Sequence, residues 1–371
     1  MNILINASNL VAGGALQVAN SICCSLSQFG EEYRFVVVLS KHLKNTFQQI
    51  KSLPNVVALE YTLPKNFSTM LLGRDQFLDS IVEEHHIDAV LTIFGPSYWQ
   101  PRCKHLMGFA RCHCLDTQSP FFKKIGILSL VKHKIHCALL MHYFNRCSRH
   151  LYTENPYMSN LLQARLPRSK VYTVTNYYNQ IYDTPSHWVE YSLPPFDGIT
   201  LFAVSVFYPH KNLRISLDIA KILKECYPNF KFRFVFAGGT KSDFGDIPPH
   251  LEHHFMFTGR VDVTQCPSLY QQADIMFMPS LLECFSATYP EAMVMGVPII
   301  TTDLPFARGL CGEAALYYSP VDAADAAHKI YALATSNQLQ STLVNAGKEQ
   351  LKKYDNYNQR SDKLIHILKN L

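Results

Sequence analysis

The sequence predicts an α/β protein with two domains, each a parallel sheet wrapped by helices. Its 371 residues are long for one hydrophobic core and sufficient for two domains of roughly 180 residues each. Apolar strand-like runs alternate with helical patterns along both halves, which is typical of parallel sheets. The stretch "DTPSHWVEYSLPPFDG", residues 183–198, interrupts this alternation with Pro, Asp and Ser and marks the predicted domain boundary.

The first domain is predicted over residues 1–185, and the second over residues 195–350. In the first domain, strand patterns are "MNILINA", "YRFVVVLS", "DAVLTIFG" and "HLMGFAR", with a helix from Gln17 to Phe29. In the second domain, strand patterns are "ITLFAVSV", "FKFRFVFAGG", "HHFMFTGRV", "ADIMFMPS" and "VPIITTD", with helices over 211–226, 264–272 and 290–296. Residues 351–371 are expected to form a C-terminal helix that packs back on the first domain.

The composition excludes several classes of protein. With 48% hydrophobic and 17% charged residues the chain is typical of a globular protein, and no apolar run reaches the 18 or so residues that span a bilayer. The N-terminus "MNILINASNL" lacks a basic leader and is expected to be a strand, which favours a cytoplasmic protein. The eleven cysteines are expected to be reduced; "CKH" at 103–105 and "CHC" at 112–114 can be interpreted as metal ligands, but ordinary Cys and His are expected and no metal is predicted.

The main electrostatic feature is a basic band over residues 102–170. It holds 12 Lys and Arg and six His against only Asp116 and Glu154. Within it, residues 121–146 mix apolar residues with Lys and His, as an interfacial helix would, so an anionic membrane surface is a predicted partner. The alternative is a core helix pair with a solvated edge. A role in binding nucleic acid is not expected, because no recognition motif accompanies the band.

The segment "LLECFSATYPEAM", residues 281–293, carries two carboxylates around a run of small residues. Pro290 is tolerated in the first turn of a helix, so a helix is predicted to begin at or shortly before it, with Glu283 in the preceding loop and Glu291 in the first turn. Backbone N–H groups at such a helix start suit a diphosphate, and the flanking carboxylates suit sugar hydroxyls. The alternative makes Glu291 a helix N-terminal charge and Glu283 a solvated loop residue.

Five further segments occur in the order that a known family shows. They are Gly13–Gly14 after the first strand, "FYPHKNL", "FAGG", "FTGRV" and "LYQQADIMFMPS". Together with the pair Glu283-x7-Glu291 and the following "AMVMGVPIITTD", they resemble the retaining glycosyltransferases of family 4. The resemblance is strong over 200–330 and looser over 1–180. It implies the GT-B fold, in which two Rossmann-like domains face each other across a cleft.

The resemblance also implies residue roles. Glu291 would bind the ribose of the nucleotide, Glu283 the transferred sugar, and Lys211 the diphosphate. His113 in "GFARCHCLD" would lie beside the reacting sugar, although a lone histidine is also commonly structural. The remaining donor-binding residues would be those of the glycine loop, of the loop over 258–262 beside the base, and of the N–H groups that cap the phosphates: Gly13, Gly14, Gly259, Arg260, Val261, Phe285 and Ser286.

One position departs from the family pattern. The family usually carries an arginine five residues before the lysine of "FYPHKNL", and this sequence has Val206 there. Either another base, such as Arg260 or Arg308, supplies the missing charge, or catalysis is impaired. Because no Asp-x-Asp motif is present to hold a cation, transfer is expected to be metal-independent, with a nucleotide-diphosphate sugar as donor and no cofactor.

The predicted acceptor is a saccharide. If the band over 102–170 docks on anionic lipid, the acceptor would be lipid-linked, as in the surface-polysaccharide and O-antigen members of the family, and the protein would be peripheral on the inner face of the plasma membrane. Two alternatives remain open. One is a non-catalytic GT-B partner subunit that binds nucleotide or glycan, and the other is a GT-B enzyme such as a nucleotide-sugar epimerase. A dehydrogenase is disfavoured, because no GxGxxG follows a strand.

Overall fold

The computed structural model describes the backbone of residues 1–371 and the side chains of residues 1–123 and 125–371. In chain order the strands are β1 Asn2–Ala7, β2 Arg34–Leu39, β3 Val56–Glu60, β4 Ala89–Thr92, β5 Lys104–Gly108, β6 His150–Thr153, β7 Lys170–Thr173, β8 Ile199–Val204, β9 Phe232–Ala237, β10 Phe255–Gly259, β11 Ile275–Met278, β12 Ile299–Thr302 and β13 Ala315–Tyr318.

The helices alternate with these strands. They are α1 Gly14–Cys24, α2 Lys44–Ile50, α3 Gln76–Glu84, α4 Ile127–Cys147, α5 Pro156–Arg165, α6 Ile215–Cys226, α7 Lys241–Phe244, α8 Cys266–Tyr270, α9 Thr288–Met295, α10 Pro305–Cys311, α11 Ala323–Ala334, α12 Asn337–Leu351 and α13 Tyr357–Lys369. Within the described residues, no helix combines the length and the apolar character that crossing a bilayer requires.

The chain divides into two compact units. Unit 1 comprises residues 1–117, 126–177 and 355–371. Its seven parallel strands follow the order β3-β2-β1-β4-β5-β6-β7. The strands are apolar along nearly their whole length, as "RFVVVL" in β2 illustrates, because helices cover both faces of a parallel sheet. The central strand β1 lies between β2 and β4, and this is the point where the strand order reverses.

The C-terminal helix α13 packs within unit 1. Leu364 and Leu368 are fully buried in the same apolar cluster as Ile3, Ile5 and other residues of β1. The buried guanidinium of Arg360 donates hydrogen bonds to the side chains of Asn176 and Ser21. The end of the chain is therefore part of the core of unit 1.

Unit 2 comprises residues 118–125 and 178–354. Its six parallel strands follow the order β10-β9-β8-β11-β12-β13, so the order reverses between β8 and β11. Its core is rich in phenylalanine: Phe232, Phe234 and Phe236 from β9 pack with Phe244 and Phe277. The two parallel-sheet α/β units confirm the predicted fold class.

Two helices in unit 2 differ from the sequence pattern. The helix predicted from residue 211 begins at Ile215, because Pro209–Lys211 form a 3₁₀ turn that ends at Asn212 in a left-handed conformation, φ 52°. The helix predicted over 264–272 is a 3₁₀ turn, Val263–Gln265, followed by the short helix α8. Both 3₁₀ turns end at a polar residue. The periodicity of apolar residues does not predict where a 3₁₀ turn gives way to an α-helix.

Candidate active site

The candidate site of unit 2 lies where its strand order reverses. Loops that leave the carboxyl ends of neighbouring strands in opposite directions form a crevice at such a point, and ligands of open α/β sheets bind there. The loop after β8 carries Lys211, and the loop after β11 carries Glu283. Since β8 and β11 are hydrogen-bonded neighbours, the two loops begin side by side.

Lys211 and Glu283 form an ion pair across these loops. The Nζ atom of Lys211 lies 2.5 Å from Oε1 of Glu283, and the two side chains are only 16% and 8% exposed. The loops are tied together by the backbone N–H of Leu281, which donates to the carbonyl of His210 over 2.8 Å. The interpretation of Glu283 as a solvated loop residue is therefore wrong.

The loop after β8 rests on the loop after β9. A Cβ atom on Gly239 would lie 1.8 Å from the ring of Phe207, so only glycine permits this contact. Phe207 also packs against Phe236 and Phe244 in the core. The "FAGG" segment thus holds the base of the loop that carries Lys211.

Glu291 lies in the first turn of α9 and is half-buried. Burial raises the pKa of its carboxyl group to about 7, against the opposing effect of hydrogen bonds. The hydroxyl of Tyr270 donates to its Oε2 over 3.2 Å. The hydroxyl of Tyr182 faces the same carboxyl group without a hydrogen bond of standard geometry. A ligand hydroxyl that donates to Glu291 would favour the ionised form.

The segment between the two glutamates leads into α9. Phe285 is half-buried and its ring lies 6.0 Å from that of Tyr354 in an edge-on arrangement. Ser286 is buried, and its hydroxyl is 2.8 Å from that of Thr288. Helix α9 begins at Thr288, so the residues predicted to cap phosphates immediately precede the helix start, where backbone N–H groups have no intrahelical acceptor.

Gly259 is the last residue of the edge strand β10, and Arg260 and Val261 follow it. Gly259 adopts a left-handed φ of 68°, and a Cβ atom there would meet no neighbour within 4 Å. Arg260 is exposed, while Val261 is half-buried. Two strand spacings, roughly 10 Å, separate β10 from β8, so this loop belongs to the periphery of the crevice rather than to the ion pair.

The remaining predicted site residues belong to unit 1. Gly13 has a φ of 74° and caps α1, and both Gly13 and Gly14 are exposed with open space around their Cα atoms. His113 lies in a 3₁₀ turn, Cys112–Cys114, and is half-buried. Its carbonyl oxygen is 2.9 Å from Nε2 of His133 on α4. The assignment of His113 as a catalytic residue stays a prediction.

Comparison with known proteins identifies the domain that holds the ion pair. Residues 198–336 match the family model of Glycosyl transferases group 1. These residues therefore resemble a group 1 glycosyltransferase domain. The match covers strands β8 to β13, the lysine loop and both glutamates.

Two curated relatives are similar to parts of this chain. Phosphatidyl-myo-inositol mannosyltransferase of Mycobacterium leprae is 27% identical over 165 residues, which are 44% of this chain and 44% of that protein. O-antigen chain mannosyltransferase RfbU of Salmonella typhimurium is 27% identical over 122 residues, 32% of this chain and 34% of that protein. Each match spans less than half of the relative's length.

Solved structures share the fold along the whole chain. A glycosyltransferase from Rickettsia africae superposes with a TM-score of 0.71 at 14% identity, covering 100% of this chain and 97% of that one. Alr3699/HepE of Anabaena, solved in complex with UDP and glucose, superposes with a TM-score of 0.65 at 15% identity, covering 100% and 99%. The fold is therefore that of glycosyltransferases with two parallel-sheet domains.

The structure of unit 2 shows what occupies the position of the missing arginine. Val206 is 52% exposed in the loop after β8 and places no cation there. Arg308 is bound to Asp303 through two hydrogen bonds of 2.6 and 2.9 Å and lies 4.2 Å from the ring of Tyr317. Arg260 is exposed at the end of β10 and is the better candidate of the two for a replacement cation.

Sequence reasoning missed several residues of unit 2 that lie near the candidate site. His210 adjoins the ion pair, and burial lowers its pKa. The ring of Phe121 lies 6.1 Å from that of His210, and Ser119 donates to the carbonyl of Leu281 over 2.5 Å. Tyr270 was visible in "LYQQAD", but nothing in the sequence indicates that a residue 21 positions before Glu291 contacts its carboxylate.

Proposed function

We propose that this chain is a retaining glycosyltransferase that moves a sugar from a nucleotide-diphosphate sugar to a saccharide acceptor. The observation that carries the proposal is the buried pair Lys211–Glu283 at the strand-order reversal of a group 1 glycosyltransferase domain. A cation and a carboxylate fixed 2.5 Å apart suit a ligand that is anionic at one end and rich in hydroxyl groups at the other.

The chemistry follows from this pair. Breaking the anomeric bond develops negative charge on the departing diphosphate, and a cation that meets this charge stabilises the transition state more than the ground state. Lys211 fills that role. Glu283 accepts hydrogen bonds from hydroxyls of the transferred sugar, and Glu291 accepts them from the ribose. We further propose that Lys211, Arg260 and the N–H groups at the start of α9 neutralise the diphosphate without a divalent cation.

Retention of the anomeric configuration belongs to the same proposal. It requires the acceptor hydroxyl to attack from the face that the diphosphate leaves. His113 is proposed to contact the reacting sugar, and Gly13 and Gly14 leave open space for phosphates at the start of α1. Product analysis by NMR of the new anomeric proton distinguishes retention from inversion.

The acceptor is proposed to be lipid-linked. Helix α4 presents two apolar stripes: one, which includes Cys137, Met141 and Phe144, is buried. The other consists of Leu128, Val131, Ile135 and Leu139 and is between 49% and 80% exposed. Exposed Lys132, Lys134 and His136 lie beside it.

An anionic bilayer fits this second stripe, because apolar side chains enter the acyl boundary while the lysines meet anionic head groups. The names of the two relatives, a phosphatidyl-myo-inositol mannosyltransferase and an O-antigen chain mannosyltransferase, support an acceptor of this kind and a role in surface polysaccharide or glycolipid synthesis. The protein would then work as a peripheral protein on the cytoplasmic face of the membrane.

The first experiment is thermal unfolding of the purified chain against UDP, GDP, ADP, dTDP and their sugar conjugates. A ligand at 100 times its Kd stabilises by about 2.7 kcal/mol, which is measurable. Lys211→Ala should abolish the response. Lys231→Ala is the matched control, since Lys231 forms an exposed pair with Asp197 in the same unit. Transfer with the selected donor is then tested on lipid-linked acceptors.

A second candidate function is a non-catalytic partner subunit that binds nucleotide or glycan. Val206 favours it, because an exposed apolar residue replaces the arginine that the family pattern carries. Nucleotide binding without transfer to any acceptor would support this function, and Val206→Arg would then be expected to tighten binding through an added charge.

A further inference from the structure

Unit 1 contains a cluster of histidine and cysteine side chains outside the proposed donor site. His113 and Cys114 come from the 3₁₀ turn Cys112–Cys114, and Cys137 comes from α4. One ligand atom from each of the three lies within 4.8 Å of the other two. Both cysteines are buried, at 6% and 8% exposure. Among the side chains that the structure describes, this is the one group of three or more His, Cys, Asp or Glu with such spacing.

A fourth side chain adjoins the cluster. His133 lies four residues before Cys137 on α4, and residues at this spacing share one face of a helix. Its Nε2 atom is 3.4 Å from Sγ of Cys137 and 2.9 Å from the carbonyl oxygen of His113. The rings of His113 and His133 have centroids 5.4 Å apart. The ring of His133 therefore lies beside the group that His113, Cys114 and Cys137 form.

We propose that His113, Cys114, His133 and Cys137 form a zinc site. Two thiolates and two imidazoles in a tetrahedral arrangement are the ligand set that selects zinc among common divalent ions. With bonds of about 2.3 Å to sulfur and about 2.0 Å to nitrogen, tetrahedral ligand atoms lie roughly 3.3–3.8 Å apart. The ligand atoms of His113, Cys114 and Cys137 lie up to 4.8 Å apart and need a contraction of roughly 1–1.5 Å, and rotation of the His133 side chain brings its ring in as the fourth ligand. His133 exchanges its hydrogen bond to the carbonyl oxygen of His113 for the metal.

Two buried cysteines can also be close without a metal, as reduced thiols or as a disulfide. The two histidine rings beside the cysteines favour the metal site, because neither a pair of thiols nor a disulfide needs imidazole nitrogens next to it. The proposal departs from the expectation that "CHC" at 112–114 is ordinary Cys and His, because the fold brings two further residues of "HKIHC", 133–137, near this turn.

The site would cross-link two distant parts of unit 1. The turn Cys112–Cys114 follows β5, and α4 begins 13 residues later, at Ile127. A bound ion fixes the turn on the helix, and it orients the ring of His113, whose second nitrogen then carries a proton as a donor. Since thiolates and imidazoles hold it, the ion is not one that binds a diphosphate through oxygen ligands, and the proposal is independent of the donor chemistry of unit 2.

The test uses the full chain, purified with a thiol reductant and without added metal. Elemental analysis should find about one zinc per chain, as a single tetrahedral site requires. X-ray absorption at the zinc edge should show two sulfur neighbours at about 2.3 Å and two nitrogen neighbours at about 2.0–2.1 Å. Cobalt added to the metal-depleted chain should give a thiolate-to-cobalt charge-transfer band. These measurements need no variant and no activity.

Variants then assign the ligands. Cys114→Ser and Cys137→Ser should each lose the zinc and the cobalt band, whereas Cys226→Ser, which changes an exposed cysteine at the end of α6, should keep both. His133→Asn should weaken zinc binding at least tenfold, by loss of one ligand. A wild-type chain with no zinc and no cobalt band, a zinc edge without sulfur neighbours, or a Cys114–Cys137 disulfide that persists under reductant would each overturn the proposal.

Discussion

The Nζ atom of Lys211 lies 2.5 Å from Oε1 of Glu283, and both side chains are largely removed from water. The two residues are 72 positions apart in sequence and meet because β8 and β11 are adjacent strands. A buried pair of this kind is weak evidence for stability, because desolvation offsets much of the attraction. Its position at the strand-order reversal favours a role in ligand binding instead.

Loss of either partner of this pair should impair transfer more than folding. We expect Lys211→Ala and Glu283→Gln to lower turnover roughly 100-fold or more, since each removes a charged group that contacts the reacting ligand. Steady-state kinetics with the donor selected by thermal unfolding measures the effect, and Lys231→Ala is the control. Circular dichroism separates this loss from misfolding. Near-normal turnover in both variants would contradict the proposed roles.

The stability of the protein should depend on pH through Glu291. Its pKa is raised from 4.5 to about 7 in the folded chain, so between these values the folded state holds a proton that the unfolded state has released. The free energy of unfolding should therefore fall as the pH rises from about 4.5 to 7, and Glu291→Gln should remove roughly 2 kcal/mol of this dependence. Urea unfolding at several pH values measures it; an unchanged slope in the variant would argue against a desolvated carboxyl group.

Donor binding should show the opposite dependence on pH. If ribose hydroxyls donate to the carboxylate of Glu291, binding selects the ionised form, and affinity for the nucleotide sugar should rise from pH 6 to about 7.5 and then level off. Titration calorimetry with the intact nucleotide sugar measures this. Glu291→Gln should bind more weakly and without the rise. If the affinity of the Glu291→Gln variant still rises with pH, another titrating group causes the rise.

The exposed stripe of α4 should govern membrane binding. Wild-type protein is expected to float with vesicles that contain anionic phospholipid, and to release at high salt, because lysines and apolar residues act together. The double variant Leu128→Gln/Ile135→Gln should lose most of this binding. Val189→Gln, which changes an apolar residue of similar exposure in unit 2, should not. If both variants float to the same extent, the exposed stripe of α4 does not contribute to membrane binding.

The packing of the C-terminal helix α13 on unit 1, and with it the stability of the protein, should depend on Arg360. Its guanidinium is 2% exposed, donates to Asn176 and Ser21, and attracts the buried carboxyl group of Glu154. Arg360→Met should lower the free energy of unfolding by roughly 3 kcal/mol, because it leaves buried polar groups without their partner. Arg149→Met, on the surface of unit 1, is the control, with an expected change below about 0.5 kcal/mol. Urea unfolding of both variants measures these changes. Equal stability of the two variants would contradict a structural role for the guanidinium of Arg360.

The fold class could be predicted because it follows from local patterns of apolar and polar residues. Strands such as "RFVVVL" and "FRFVFA" are apolar along their length, and this indicates parallel sheets covered on both faces. Helix starts were less predictable. The 3₁₀ turn at Pro209–Lys211 ends at a left-handed Asn212, and the backbone conformation of one residue leaves little trace in hydrophobic periodicity.

The candidate site could be predicted only in part. Lys211, Glu283 and Glu291 could be proposed as site residues because they lie in ordered segments, but the side chains that contact them could not be predicted. Tyr270 and His210 contact these residues across strands that are distant in sequence. Spacing along the chain carries no information on such contacts.

By itself, the sequence determined the alternation of strands and helices, because side-chain burial repeats with the period of each element. It also determined which loops follow which strands, and so which residues are available to a site. Only the tertiary structure decided that Lys211 pairs with Glu283, that Tyr270 contacts Glu291, and that two thiols meet two imidazoles in unit 1. These contacts depend on strand order and helix packing, which arise from the whole core and from no single segment of the chain.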